Sequence, residues 1–372
     1  MAKKSDSSQL EQPAKPVKST PEKRKSAEKK SAHVNLRTLA AHLELSQTTV
    51  SLVLNDSPAA KSIPPETQKR VMEAARKLQY RPNYFARSLR KSRSMSVGVI
   101  APDLSEGYFT LVMSGVEQAL IRSHYFYFTA GHYWHKDLIA EYPRMLLERA
   151  VDGFLLLNTP VEIEQSPVPV VAISAHSKID GVTNIVIDHY AAAMQALGHL
   201  YSLGHRKIAF MRGAKFIVDS EFRWQGILEV ARELGLDVRQ ELTMHLTTND
   251  WSPELGYEPM KDLLTRTQDF TALFCFNDVS AIGAIRAIQD AGLRVPEDIS
   301  VIGFDDIISA AFYRPSLTTI RQPLRAMGTA GAELLLRRIA HPEIPEPDEI
   351  VMQPELIVRE STGPVAAKKD VR

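Results

Sequence analysis

Large apolar residues are almost absent before Val34 and then recur at two alternating spacings. In VNLRTLAAHLELSQTTVSLVLN (34–55), Leu36, Leu39, Ala40 and Leu43 fall on one helical face behind a capping Asn35. Ser46 caps a second short helix that turns Val50 and Leu54 inward. The small Ala40 lets the two helices approach. A third helix runs from about Pro65 to Leu78, with Val71, Ala74, Ala75 and Leu78 on one face. Two short helices around a tight turn predict a helix-turn-helix, whose second helix offers Gln47, Thr48, Ser51 and Leu52 outward. Amides, hydroxyls and apolar tips of this kind read base edges in a major groove.

After residue 95 the pattern changes. Short apolar runs bounded by turn residues occur at Ser96–Ala101, Tyr125–Thr129, Gly153–Leu157, Val168–Ile173, Ile185–Ile187, Lys207–Met211, Ala272–Phe276 and Ser300–Gly303. Helix-length amphipathic stretches lie between them, such as Phe109–Ser123, Tyr190–Leu203 and Asp278–Ala291. This alternation predicts parallel sheets with helices on both faces, and some 270 residues suit two such sheets rather than one. Helix 109–123 presents Leu111, Val112, Val116 and Leu120 either to a dimer partner or to its own core.

Composition adds one asymmetry. The 372 residues carry a net charge of only +1, but residues 1–94 hold 20 Lys+Arg against 8 Asp+Glu, and the rest hold 25 against 36. A basic front on an acidic body suits a nucleic-acid reader joined to a separate domain. Residues 1–33, with nine basic and four acidic side chains, cannot bury enough apolar surface to order themselves and are expected to be disordered. The single Cys275 excludes a disulfide framework and a cysteine-based zinc cluster, and its apolar strand predicts a buried, inert thiol. No apolar run approaches a membrane span, and no secretory signal opens the chain. A cytoplasmic protein is expected. No phosphate loop, nucleophile elbow or zinc-protease motif is found. His124, His132 and His135, beside Trp134, straddle a strand and a loop rather than one face, so neither a metal nor a cofactor is expected.

LAAHLELSQTTVSLVLN followed by YRPNYFARSLR resembles the lac repressor family of bacterial transcription regulators, and the likeness extends over about 34–362. It implies that Gln47, Thr48, Ser51, Leu52 and Asn55 contact DNA. It also implies that the segment holding Asn83, Ala86, Arg87 and Leu89 is a hinge helix. That helix folds on DNA and wedges Leu89 into the minor groove, where unstacking is exchanged for a kinked, more extensive contact. Three positions depart from the family pattern. Glu44 stands where the turn usually has glycine, which costs about 1 kcal/mol at positive φ. Leu52 replaces an arginine and suits a thymine methyl. Pro64 replaces the side-chain cap of the third helix.

Residues 270–324 carry the second site. A strand ends in Asn277-Asp278 and another in Asp305-Asp306, and ligands of open α/β sheets bind beyond such strand ends. Asp278 is read as the cap of the following helix, with Asn277 pointing into a cleft. The resemblance implies that Tyr108, Phe109, Arg223, Trp251, Asn277 and Asp305 line an effector pocket, with Asp278 and Asp306 structural. Ser174 stands where some sugar-responsive relatives have an acid.

The expected fold is an all-α helix-turn-helix headpiece followed by an α/β sensor of two doubly wound, periplasmic-binding-protein-like lobes. Its segments are a basic tail (1–33), the headpiece (34–81), hinge helix and linker (82–94), sensor and dimerisation domain (95–362) and a flexible tail (363–372). By resemblance the chain crosses between lobes near 190 and 322 and returns near 348. The expected function is an effector-controlled repressor, a homodimer on a pseudo-palindromic double-stranded operator, with no membrane partner. A sugar is the favoured effector, ahead of a nucleobase or other metabolite. A transport solute-binding protein needs an export signal and no headpiece, an enzyme needs a nucleophile–base pair, and a nonspecific nucleoid protein leaves the pocket unexplained.

Overall fold

The computed structural model describes residues 34–80, 93–104, 107–160, 166–176, 179–247 and 252–365. The chain divides into two compact units near residue 88.

In the first unit, α1 (Leu36–Leu43), α2 (Gln47–Leu54) and α3 (Pro65–Lys77) enclose Leu39, Ala40, Leu43, Val50, Val53, Val71 and Ala75. Asn35 caps α1 through the Thr38 amide and receives a reciprocal bond from the Thr38 hydroxyl, and Ser46 caps α2 through the Thr49 amide. Glu44 takes the left-handed turn at φ 54°. Pro64 opens α3 without a side-chain cap, as its chemistry dictates. One inward residue differs from the sequence reading: Val53, not Leu54, is the buried partner of Val50, and Leu54 packs half-buried at the rim. On a two-turn helix Val50 and Val53 lie about 60° apart on the inward face, and Leu54 lies about 100° from Val53, at the edge of that face.

The second unit contains two six-stranded sheets. The first has the order β11-β5-β4-β3-β1-β2, with β1 Ser96–Ala101, β2 Phe126–Gly131, β3 Phe154–Leu157, β4 Val170–Ile173, β5 Thr183–Ile187 and β11 Glu349–Met352, all parallel. The second has the order β12-β10-β9-β8-β6-β7, with β6 Ile208–Arg212, β7 Thr243–His245, β8 Ala272–Cys275, β9 Ser300–Asp305, β10 Thr318–Arg321 and β12 Glu355–Ile357. Only β12 runs antiparallel to its neighbour. The central strands are buried along their whole length, which is why they read as continuous apolar runs. The expected α/β sensor of two doubly wound lobes behind a helical headpiece is therefore present.

Helices α4 (Gly107–Arg122) and α10 (Leu324–Ala340) pack in the first lobe. α6 (His189–Ser202), α7 (Val218–Glu233), α8 (Glu254–Arg266) and α9 (Asp278–Asp290) pack in the second, and α5 is Lys136–Leu147. Val112, Val116 and Leu120 of α4 are core residues. Gly115 and Gly328 bring α4 against α10 so closely that a Cβ on either would stand 2.0 Å from a backbone oxygen of the other helix. That contact answers the alternative left open for this helix: its apolar stripe is covered from within its own lobe. The return crossing falls after Met352 rather than near 348, because 349–352 pairs with β5 before the chain leaves. Residues 363–365 do not begin a free tail. Gly363 donates to Ser300 Oγ and Val365 to the Leu203 carbonyl, which ties them to the second lobe.

Candidate functional site

On the headpiece, α2 leaves Gln47 and Thr48 exposed and Ser51 and Leu52 half-exposed along one side. Asn55 is exposed, but its amide donates to Ser51 O (2.7 Å) and reaches Ser51 Oγ (3.3 Å), closing the helix end. Its carbonyl oxygen is thus the atom left to face a partner. Asn83, Ala86, Arg87 and Leu89 lie outside the described residues, as does Trp251.

Between the lobes is a narrow cleft lined by Tyr108, Asn158, Ile217, Asp219, Arg223, Phe276, Asn277 and Asp305. Tyr108 enters from the first turn of α4 and Asn158 from beyond the end of β3. The other residues belong to the second lobe, around α7 and the carboxyl ends of β8 and β9. Four of the implied residues, Tyr108, Arg223, Asn277 and Asp305, therefore meet at one place. Phe109 does not: it is fully buried in the first-lobe core, edge-on to Tyr108 at 5.0 Å. Its neighbour takes the cleft because adjacent helical positions point about 100° apart. Tyr108 donates its hydroxyl to Ser174 Oγ at 2.8 Å, so the serine that replaces an acid anchors a pocket aromatic. Burial raises the Tyr108 phenol well above its ordinary value, keeping it a neutral donor.

Arg223 is the centre of the site. It is buried, its guanidinium lies 3.5 Å above the Phe304 ring, and it donates to Phe276 O and to Asp219 Oδ2 (2.8 Å). Its Nε has no partner, and neither does Asn277 Nδ2. Buried polar atoms are nearly always bonded, so two free donors on one cavity wall mark where ligand acceptors fit. Asn277 lines the cavity as expected, but it, and not Asp278, is also the helix cap. Asn277 caps α9 through the Ser280 amide (2.9 Å) with its Oδ1, which leaves only Nδ2 for the cavity. Asp278, read as the cap, instead accepts from Ile307 N (2.9 Å) and the Thr319 hydroxyl (2.5 Å), crosslinking the strand ends. A residue with β φ/ψ just before the helix is the capping position, and Asn277 holds it.

Asp305 ends β9 at φ 117°, followed by Asp306 at φ 56°. Non-glycine residues held there store on the order of 1–3 kcal/mol each, a strain that clusters at binding sites. Asp305 accepts from Gln322 Nε2 at 2.6 Å. Burial pushes its carboxyl up to about 7 against the pull of Arg223 and Gln322. Asp306 is structural, clamped by Arg321 (2.7 Å) and Arg359 (2.6 Å).

Sequence reasoning missed Asp219, Asn158 and Gln322. Asp219 was readable, since an acid four residues before Arg223 shares its helix face. Asn158 also follows an apolar strand, the signal already used for Asn277. Gln322 sits in a crossover with no pattern to single it out. Of the histidines weighed as a cluster, His132 is fully buried, bonded to Thr159 Oγ1 (3.1 Å) and to the Trp134 amide. Burial lowers it to about 4, the behaviour of a neutral core imidazole. Cys275 is buried, and burial raises its thiol.

The sequence pattern described as "Bacterial regulatory proteins, lacI family" matches residues 37–83, and that of a "Periplasmic binding protein-like domain" matches 197–362. The chain is 32% identical over 336 residues to the HTH-type transcriptional repressor PurR of Haemophilus influenzae, spanning 88% of this chain and 98% of that protein. It is 34% identical to PurR of Glaesserella parasuis, over 88% and 97%. Among solved structures, the lac repressor dimer bound to operator and the anti-inducer ONPF aligns with a TM-score of 0.76 and 25% identity, over 89% of this chain and 99% of that one. The transcriptional regulator CelR–cellobiose complex aligns at 0.66 and 29%, over 88% and 99%.

Proposed function

Because this chain belongs to the lacI family of bacterial regulatory proteins, as a DNA-binding transcription repressor with a ligand-binding domain, we propose that it is a dimer controlled by a sugar bound between its lobes. The observation that carries the reading is the cavity at Arg223. An arginine stacked on an aromatic ring, a free amide donor and a buried carboxyl match a ring that offers several hydroxyls. The cellobiose carried by a similar regulator supports that class. Two subunits would place Gln47, Thr48, Ser51, Leu52 and the Asn55 carbonyl in successive major grooves of a pseudo-palindrome. Paired 82–94 segments would wedge Leu89 between them, with Asn83, Ala86 and Arg87 against the groove. Trp251 would stack on the ligand. A ligand regulates only by binding one lobe arrangement better than another, so closure around Arg223 is the step that must differ between DNA-competent and incompetent states. No helix among the described residues is long and apolar enough to cross a membrane.

A thermal-shift screen of the full chain against sugars, sugar phosphates and nucleobases tests this, since a ligand of the native state raises the midpoint. A sugar hit that also changes operator affinity is expected. Stabilisation by a nucleobase alone would replace the sugar assignment, and a hit that leaves operator affinity unchanged would remove the regulatory one. Two further outcomes bear on DNA. Leu89→Ala should weaken operator binding about 10-fold or more while sparing nonspecific binding, because only the kinked complex uses the wedge. Equal losses on both DNAs would count against it. Deleting 1–33 should flatten the salt dependence of DNA binding, because fewer counterions are released. An unchanged slope would mean that those nine basic residues stay off the phosphates.

A further inference from the structure

Three side chains from separate segments converge where the chain crosses between lobes. His176 follows β4 in the first lobe, His189 is the first residue of α6, and Asp219 lies in the first turn of α7. Their ligand atoms lie within 4.8 Å of one another. His176 Nε2 and His189 Nε2 stand 3.1 and 3.0 Å from the same atom, Asp219 Oδ1. We propose that His176, His189 and Asp219 form a divalent transition-metal site that joins the two lobes beside the effector cavity.

Two imidazoles and one carboxylate are the donor set of zinc and of cobalt(II), nickel(II) and iron(II) centres with open positions. With metal–ligand bonds of about 2.1 Å, nitrogen–oxygen separations of 3.0–3.1 Å subtend roughly 90–95° at a shared ion, within the range of metal coordination angles. The Asp219 carboxylate accepts from the Arg223 guanidinium on its other side. Arg223 occupies Oδ2 at 2.8 Å, which turns Oδ1 toward the imidazoles. Phe222 stacks on His176 at 3.9 Å and 10°, fixing that ring plane.

The imidazoles can release the hydrogen bonds that now fill the cluster. His189 Nδ1 is buried without a partner, so no second bond holds that ring in the tautomer that donates to Asp219. Moving the proton to Nδ1 exposes the Nε2 lone pair without breaking any other contact. All three ligand side chains are buried, each about 7% exposed, so a bound ion would be shielded from water. A metal there would hold His176 of one lobe to Asp219 of the other. Because Asp219 also orients Arg223, it would fix the guanidinium that faces the cavity.

The full chain, stripped with chelator and titrated with Co2+ and then Zn2+, tests the site by visible absorption and calorimetry. One equivalent of Co2+ should give a ligand-field band that one equivalent of Zn2+ abolishes, and Zn2+ should raise the unfolding midpoint. His176→Gln and His189→Gln should each weaken binding by more than the roughly 10–100-fold that loss of an outer partner costs. In the unsubstituted chain, Zn2+ should shift the nitrogen resonances of two imidazoles, a readout that needs no variant to fold. Absence of a saturable one-to-one site, or affinities unchanged in both variants, would overturn the proposal and leave the cluster a hydrogen-bonded latch.

Discussion

Replacing Arg223 with alanine is expected to abolish the response to effector while leaving operator binding in the effector-free mode. The guanidinium is the one side chain that ties together three features of the cavity: the Phe304 face at 3.5 Å, the Phe276 carbonyl and the Asp219 carboxylate at 2.8 Å. It also offers the unpartnered Nε. Truncation removes a ligand donor and leaves Phe276 O and half of Asp219 unpaired. Losing one member of a buried ion pair costs about 3–5 kcal/mol of stability, here moderated because His176 and His189 still donate to Asp219. Arg223→Lys should fall between the two, since a point charge cannot stack on a ring and span two acceptors together. Effector titration by calorimetry, with operator affinity measured with and without effector, separates the two effects. An unchanged titration in the alanine variant would move the pocket elsewhere.

The headpiece and the central strands were legible because local chemistry decides them. Asn35 and Ser46 cap where caps must be, and β1 was read to the residue from an unbroken apolar run. The edge strands β7, β11 and β12 and the interior strand β10 were not legible. They are three or four residues long, and β10 buries Thr318 and Thr319, whose hydroxyls look like a turn until Thr362 and Asp278 are seen to satisfy them. Within the site, Arg223 and Asp305 came from the family likeness and the strand-end rule. Gln322, the partner of Asp305, and His176, the partner of Asp219, did not, because they reach the cleft only through a crossover and a loop end that carry no periodicity. The cap taken by Asn277 rather than Asp278 shows the limit of a one-residue rule: both can cap a helix, and only the backbone angles choose.

Asp305→Asn is expected to stabilise the protein at pH 8 and to weaken effector binding, with the stability gain disappearing in acid. Burial raises this carboxyl from an ordinary 3.8 to about 7. An acid raised on folding binds more protons in the native state, so the native chain loses stability as pH climbs between those two values. Below about pH 4 the group is protonated in both states and costs nothing. Above pH 7 it is ionised in both, and the folded protein bears the full penalty. Each tenfold change in proton affinity is worth about 1.4 kcal/mol, so the penalty amounts to a few kcal/mol. Asparagine removes the charge and keeps an oxygen for Gln322 at the position that now accepts at 2.6 Å. The loss falls on binding, since a charged acceptor to a hydroxyl is worth about 1.5–3 kcal/mol, roughly a 10–100-fold change in affinity. Urea unfolding of both chains at several values between pH 4 and pH 8 checks the sign: the stabilities should converge near pH 4, diverge as pH rises toward 7, and differ by a constant amount above it. Coincident midpoints across that range would show that Asp305 is ionised in the fold without penalty. Its retention would then owe nothing to a trade of stability for ligand recognition.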